Sequence, residues 1–287
     1  MIETAGQLES LRARVAGWKR EGLRVGFVPT MGNLHQGHHS LVQLAKRHAD
    51  RVGASVFGNP TQFGPGEDFD RYPRTPEEDA AGLEAAGCDL RWLPPVEAMY
   101  PFGAGNAVQG RVPGVTEVLE GARRPGHFDG VATVVSRLFN QVQPDVAAFG
   151  RKDYQQLTVV RYMVRDLAFP IELLAGETVR EADGLAMSSR NRYLSDSERT
   201  LAPRIRQTLL AMRDQLAAGQ GRQEVEASAR ERLAEAGFDV DYAVIRTPEL
   251  SEPGTAHRGA LVALAAAKLG TTRLIDNLEF ELRDDGR

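Results

Sequence analysis

The chain has 287 residues, 42% hydrophobic and 26% charged, which suits a soluble globular protein of one large or two unequal domains. Lys and Arg number 35 against 39 Asp and Glu, and the formal net of −4 disfavours a general nucleic-acid surface while leaving a local basic pocket open. The single cysteine, Cys88, excludes an intrachain disulfide framework and a thiolate-rich zinc site.

The N-terminal stretch MIETAGQLESLRARV lacks the apolar centre of a secretory signal, and no run approaches the length of a membrane span. A cytoplasmic protein is expected. Leu8, Leu11, Val15 and Trp18 recur at helical spacing before a glycine stop at Gly22. Arg24–Thr30 predicts a short buried strand, Gly37–Ala49 a helix with Leu41, Leu44 and Ala45 on one face, and Arg51–Phe57 a second strand. A turn-rich loop leads to a helix at Glu77–Ala86 and a strand at Asp89–Leu93. This alternation predicts an α/β fold with a doubly wound, Rossmann-like parallel sheet.

From Tyr100 to Gly130 glycine and proline predict loops around a short helix at Thr116–Leu119. Order resumes with a helix at Val131–Val142, a strand at Asp145–Phe149, a helix at Tyr154–Leu167 and a strand at Ile171–Ala175. Beyond Thr178 the character changes. Helices are expected at Asp196–Gln215 and Gln223–Ala236, and strands at Asp241–Arg246, Ala260–Ala267 and Arg273–Asp276. These predict a smaller α+β domain at 178–287, joined to a domain at 1–177 by a hinge near residues 177–187. Ligands of such sheets sit at the carboxyl ends of the strands, which places the stretches after Val28, Phe57 and Phe149 on one rim.

The first of these, PTMGNLHQGHHSLV (Pro29–Val42), carries His35 and His38 where a strand gives way to a helix. Gly32 and Gly37 permit close backbone approach. A helix N-terminus with exposed backbone N–H groups attracts anions, and two imidazoles add donors to a phosphate. Metal chelation wants a third ligand, and the His35–His39 spacing lacks the intervening glutamate of a zinc helix. His39 and His48 are expected as solvated or packed helix residues.

This stretch resembles the His-x-Gly-His signature of the class I aminoacyl-tRNA synthetase and nucleotidylyltransferase superfamily, and its longer form is similar to that of the pantoate–β-alanine ligase family. The resemblance continues in order through FGNPTQF (Phe57–Phe63), DRYPR (Asp70–Arg74), GHFDGVATVVSRLFNQVQPDVAAFGRKDYQQL (Gly126–Leu157), TVREADGLAMSSRN (Thr178–Asn191) and TRLIDN (Thr272–Asn277), nearly the whole chain. It implies a two-step ligation. ATP and (R)-pantoate give pantoyl adenylate and pyrophosphate, and the amine of β-alanine then displaces AMP to give pantothenate.

The same resemblance implies that Met31, Gly32, Asn33, Leu34, His35, Gln36, Gly37 and His38 line the ATP site, with Gly150, Arg151, Lys152 and Asp153, with Val179, and with Met187, Ser188, Ser189 and Arg190. His35, His38, Lys152 and Arg190 are the implied catalytic groups, His38 the favoured proton donor. Gln62 is implied to contact pantoate and β-alanine, and Gln156 pantoate; its neighbour Gln155 points about 100° away on a helix, so one of the pair should face the site. The second domain is expected to close over ATP through the MSSR loop, Met187–Arg190. Magnesium is expected with ATP, held by phosphate oxygens and water, and no protein ligand is assigned. A homodimer is implied; the apolar strand and helix around Ser55 and Val131–Leu138 suit either such an interface or the core, which periodicity does not separate.

Three positions depart from the family pattern: Arg151 stands for a common glutamate, Gly58 for a valine and Glu177 for a proline. Gly58 is expected to loosen the pantoate pocket, and Glu177 touches the hinge. Arg123 and Arg124 either steer anionic substrates or are solvated. A competing reading within the superfamily is another adenylating or nucleotidyl-transferring enzyme. It is disfavoured by Gln62 and Gln156, which suit a hydroxy acid, and because no anticodon-binding module follows residue 191. A competing reading of a different class is a nucleotide sensor, which needs tight binding but not both histidines together with Lys152 and Arg190.

Overall fold

The computed structural model describes residues 2–64, 69, 71–254 and 257–282; Asp70 of the DRYPR stretch lies outside them. The chain divides into two compact units, Met1–Arg151 with Gln155–Glu177, and Lys152–Tyr154 with Thr178–Arg287.

In the first unit the elements run β1 (Glu3–Ala5), α1 (Leu8–Arg20), β2 (Val25–Thr30), α2 (Gln36–Lys46), β3 (Arg51–Val56), α3 (Pro76–Ala85), β4 (Leu90–Trp92), α4 (Val96–Met99), α5 (Glu120–Arg123), α6 (His127–Val142), β5 (Val146–Gly150), α7 (Tyr154–Asp166) and β6 (Glu172–Gly176). The six strands form one parallel sheet in the order β1-β4-β3-β2-β5-β6. β2 sits at its centre, with Phe27 opposite Gly53 on β3 and Ala147 on β5. The order reverses there, so the loops leaving β2 and β5 flank the crevice where ligands of such sheets bind.

Near-continuous apolar runs make these central strands. VGFVPT and VAAFG bury side chains on both faces because helices cover both. α1 contributes Leu11, Val15 and Trp18 to one face with α6, and α2 contributes Leu41, Val42 and Ala45 to the other. Each buried Leu or Val among them stabilises the fold by about 1.5–3 kcal/mol relative to exposure. Ser55 and the α6 residues Val131, Val134, Val135 and Leu138 are buried within this single chain. Of the two places open to these side chains, core or interface, they take the core.

The Tyr100–Gly130 segment differs from expectation. Thr116–Leu119 is a series of turns, Leu119 takes a left-handed φ of 51°, and the helical turn follows at Glu120–Arg123. The cause is a distant side chain. Gln155, on α7, donates to the carbonyls of Val115 and Val118 at 2.7 and 2.8 Å and accepts from Glu120 N at 3.0 Å, so the loop's backbone groups are satisfied without a helix. The brief β1 has too few residues to carry a periodic signal.

The second unit holds α8 (Asp196–Leu201), α9 (Arg204–Ala217), α10 (Arg222–Glu235), β7 (Asp239–Arg246), β8 (Gly259–Leu269) and β9 (Thr272–Leu282). The strands form an antiparallel meander, β7-β8-β9. Ile205, Leu209, Val225 and Leu233 of the helices pack with Leu261, Ala263, Ala265 and Ala267 of β8, whose period of two marks a single sheet face. The single helix expected over Asp196–Gln215 is two. Pro203 lacks the N–H that would continue the ladder, and the chain breaks between Leu201 and Arg204.

Candidate active site

At the carboxyl end of β2 the chain turns sharply through Gly32 (φ 90°) and Asn33 (φ 51°). A Cβ on Gly32 would lie 3.1 Å from both Asp79 Oδ2 and Val56 Cγ1, so glycine is required there for conformation and for space. Asp79, on α3 and almost wholly buried, accepts from the backbone N–H of Asn33 at 2.9 Å and of Leu34 at 2.8 Å, and from the Thr75 hydroxyl at 3.0 Å. Sequence reasoning passed over Asp79, because an acid in the first turn of a helix is ordinarily a cap or a solvated charge.

The two histidines cap α2 reciprocally. His35 Nδ1 accepts from Gly37 N at 3.1 Å, and His38 Nδ1 accepts from His35 N at 3.3 Å. Their rings lie 4.2 Å apart, tilted by 53°. Gly37 is what makes room, for a Cβ there would meet His35 Cε1 at 2.8 Å. A backbone N–H can only donate, so both Nδ1 atoms carry lone pairs and both neutral rings carry their proton on Nε2. The expectation of exposed backbone N–H groups is narrowed here for Gly37, His38 and His39. The N–H of Gly37 is taken by the His35 ring, and those of His38 and His39 by the His35 carbonyl. Besides the N–H of Gln36, the donors this turn offers an anion are the imidazole Nε2–H groups.

His39 turns away from this pair. Its ring lies against Gly82, where a Cβ would collide with Nε2, and burial lowers its pKa despite the opposing charge of Asp79. His48 is half-exposed, with Nδ1 at 3.9 Å from Glu172.

After β3, the 3-10 turn Pro60–Gln62 brings Gln62 beside Met31, with Nε2 2.8 Å from the thioether sulfur. The Gln62 side chain is oriented by a chain of bonds. The Tyr100 hydroxyl donates to Asn59 Oδ1 at 2.6 Å, and Asn59 Nδ2 donates at 3.1 Å to both Gln62 Oε1 and the Gly130 carbonyl. Asn59 thus fixes which end of the amide is oxygen, and the donating nitrogen is turned to Met31. From behind, His127 Nδ1 lies 2.8 Å from the Gln62 carbonyl and His127 Nε2 lies 3.1 Å from Arg124. A carbonyl and a guanidinium leave one arrangement, in which Nδ1–H donates and Nε2 accepts. Arg124 is thus tied to the Gln62 turn through His127. A Cβ on Gly58 would meet Phe69 alone, at 3.7 Å, so that departure leaves room in the loop.

At the end of β5, Gly150 precedes a 3-10 turn at Arg151–Asp153. Two of the family departures meet here, with Arg151 Nε 3.4 Å from the well-exposed Glu177. Gln155 is buried in the loop contacts given above, and Gln156 is half-buried.

In the second unit, Lys152 Nζ lies 3.6 Å from Asp153, and the Lys152 carbonyl accepts from Asn277 Nδ2 at 2.9 Å. The segment from Val179 to Met187 doubles back on itself, Met187 N donating to Val179 O at 3.0 Å. Arg180 locks it with a two-pronged bond to Asp276, at 2.7 and 2.9 Å, whose side chain is fully buried. Ser188 then caps the 3-10 turn Ser189–Tyr193 by accepting from Arg190 N. Asp276 and Asn277 are thus the supports of two predicted ATP-binding segments, a role TRLIDN did not announce. Among the described residues no group of three or more His, Cys, Asp or Glu side chains could hold a metal ion, and no helix is long and apolar enough to cross a membrane.

Comparison with known proteins bears on what these groups serve. The family model of pantoate–β-alanine ligase matches residues 3–279. A pantothenate synthetase of Xanthomonas axonopodis pv. citri (strain 306) is 68% identical over 280 residues, 98% of this chain and 100% of the relative. That of Stenotrophomonas maltophilia (strain K279a) is 65% identical with the same coverage. The crystal structure of a Thermus thermophilus pantothenate synthetase superposes with a TM-score of 0.88 at 49% identity, covering 96% of this chain and 99% of that one. A Francisella tularensis pantoate–β-alanine ligase, complexed with beta-gamma ATP and β-alanine, gives a TM-score of 0.80 at 29% identity over 97% of each chain. The chain belongs to the pantoate–β-alanine ligase family.

Proposed function

We infer that the chain catalyses the ATP-dependent condensation of (R)-pantoate with β-alanine to pantothenate, through a pantoyl adenylate. The observation that carries this reading within the site is the fixed pair of Nε2–H donors on His35 and His38, with the Gln62 amide oriented beside Met31. A carboxylate oxygen of pantoate attacks the α-phosphorus of ATP, and the bond to pyrophosphate breaks. The amine of β-alanine then attacks the acyl carbon, the C–N bond forms, AMP leaves and the nitrogen loses a proton. Catalysis of the first step rests on positioning and charge stabilisation. His38 Nε2–H, and His35 beside it, donate to phosphate oxygens as negative charge builds there. Lys152 and Arg190 supply mobile and forked positive charge to the phosphates, supported by Ser188 and Ser189. Gln62 and Gln156 hold pantoate by its hydroxyls and carboxylate, with Gln62 also serving β-alanine.

Magnesium enters with the nucleotide as MgATP, held by phosphate oxygens and water. In this reading the partners are small molecules and a second copy of the chain, no nucleic acid or membrane takes part, and the reaction belongs to the cytoplasm. Light scattering on the eluting protein distinguishes a homodimer from a monomer of 31.4 kDa. The activity is tested by mass-spectrometric detection of pantothenate and AMP from purified protein with ATP, magnesium, pantoate and β-alanine, omitting each in turn. Product that requires every component is the expected result. ATP binding without product under all conditions would favour the sensor and overturn the ligase.

A further inference from the structure

The turn between β2 and α2 is held by a single carboxylate. Gly32 and Asn33, two residue types that accept left-handed φ values, make the turn, and what fixes its position is the partner of the N–H groups that follow. Two successive backbone N–H groups, Asn33 and Leu34, point into the protein and end on the two different oxygens of Asp79, at 2.9 and 2.8 Å. A third donor, the Thr75 hydroxyl, reaches Oδ1 at 3.0 Å. A carboxylate with both oxygens free of protons meets this demand. An amide does not, because one of its ends donates and would face a donor.

We propose that Asp79 is the positioning residue of the nucleotide-phosphate turn: by accepting Asn33 N–H and Leu34 N–H on separate oxygens, it sets where His35 and His38 present their Nε2–H groups. The proposal rests on the ligase reading given above. His35 follows Leu34 directly and its ring caps α2, so a shift of the anchored pair displaces the cap and the donors with it. Asp79 is itself anchored, since its N–H donates to the Thr75 carbonyl at 2.8 Å and α3 begins at Pro76, immediately after the YPRT stretch. The Tyr72–Thr75 segment, which carries no evident chemistry, thereby acquires a purpose: it starts the helix that carries the anchor. The titratable group facing this carboxylate from α2 is the half-buried His39, whose pKa burial lowers. Asp79 does not line the Gln62 turn, so the effect should fall on ATP and spare pantoate.

The experiment measures pantothenate formation by the full chain with MgATP and pantoate varied separately, for the wild type, Asp79→Asn and Thr75→Val. Loss of bonds to a charged acceptor predicts a rise in the ATP KM of about 10- to 100-fold for Asp79→Asn, with the pantoate KM within about twofold. Thr75→Val removes one donor to the same oxygen that accepts Leu34 N–H, and a smaller, ATP-selective rise is expected. Circular dichroism and thermal midpoints establish that each variant is folded at the assay temperature. If Asp79→Asn does not fold, Thr75→Val decides alone: a loss shared equally by both substrates, or no loss, overturns the proposal. The same two outcomes in a folded Asp79→Asn overturn it as well. A wild type that makes no product would instead overturn the ligase reading, so the two failures are distinguishable.

Discussion

At the scale of single residues, geometry separates three histidines that the sequence places within five positions. His35 and His38 give their Nδ1 lone pairs to the backbone, which commits Nε2–H to donation. Replacing His38 by alanine removes one preorganised donor and also opens half of the cap on α2. We expect kcat for adenylation to fall about 10²- to 10³-fold. A turnover equal to that of the wild type in a single-turnover adenylation assay would take His38 out of the mechanism. His39 belongs to the packing. Burial depresses its pKa below the usual value of about 6.5, so as pH falls through that value the unfolded chain takes up a proton that the folded chain refuses. Stability is therefore unaffected by His39 well above this range and declines as the solution is acidified through it. Urea midpoints at pH 7.5 and 5.5 should drop less in His39→Gln than in the wild type; equal drops would remove His39 from the acid sensitivity.

At the scale of elements, the substrate turn shows how one helix can set a loop. Gly130 stands in the first turns of α6, and a Cβ there would lie 2.7 Å from Gln62 Cα. Alanine would gain about 1 kcal/mol of helix propensity, yet crowding a packed contact costs about 1–3 kcal/mol, so the balance is against it. Gly130→Ala should lower the urea midpoint and raise the pantoate KM more than the ATP KM. Unchanged pantoate kinetics at wild-type stability would mean that the turn adapts and that the close approach has no bearing on Gln62. The sequence signalled this glycine only as part of GHFDGVATVV, since nothing local reveals that residues 61 and 62 press against residue 130. Gln155 and Gln156 make the same point. Helical spacing requires that they diverge, and Gln155 indeed points away, into the carbonyls of a loop some forty residues earlier in the chain. Which loop it would hold was not legible, because that bond depends on tertiary placement alone.

At the scale of the whole molecule, what was legible follows the range of the forces involved. Apolar runs and glycine stops are local, so β2, β3, β5 and the helices between them could be placed within a few residues, and alternating strands and helices imply a parallel sheet. The supports of the site are long-range: Asp79 beneath the Asn33 turn, Asn59 beside Gln62, Asp276 under Arg180. Each looks like an ordinary polar residue until the partner is in place. The lone cysteine offers a way to read the first unit as a body. Cys88 lies buried between β3 and β4, its Sγ 3.4 Å from the carbonyls of Val52 and Leu90, and burial pushes its pKa up to about 12. At pH 8 about one thiol in 10⁴ would then be ionised, and only the thiolate attacks a disulfide reagent. The native protein should resist an aromatic disulfide at that pH, whereas the urea-unfolded chain should release one equivalent of chromophore promptly. Reaction at intermediate urea should track the opening of the sheet, because no other cysteine contributes signal. Prompt labelling of the native protein would show instead that β3 and β4 part readily, and that the edge of the sheet beside Trp92 is far less firmly held than its burial implies.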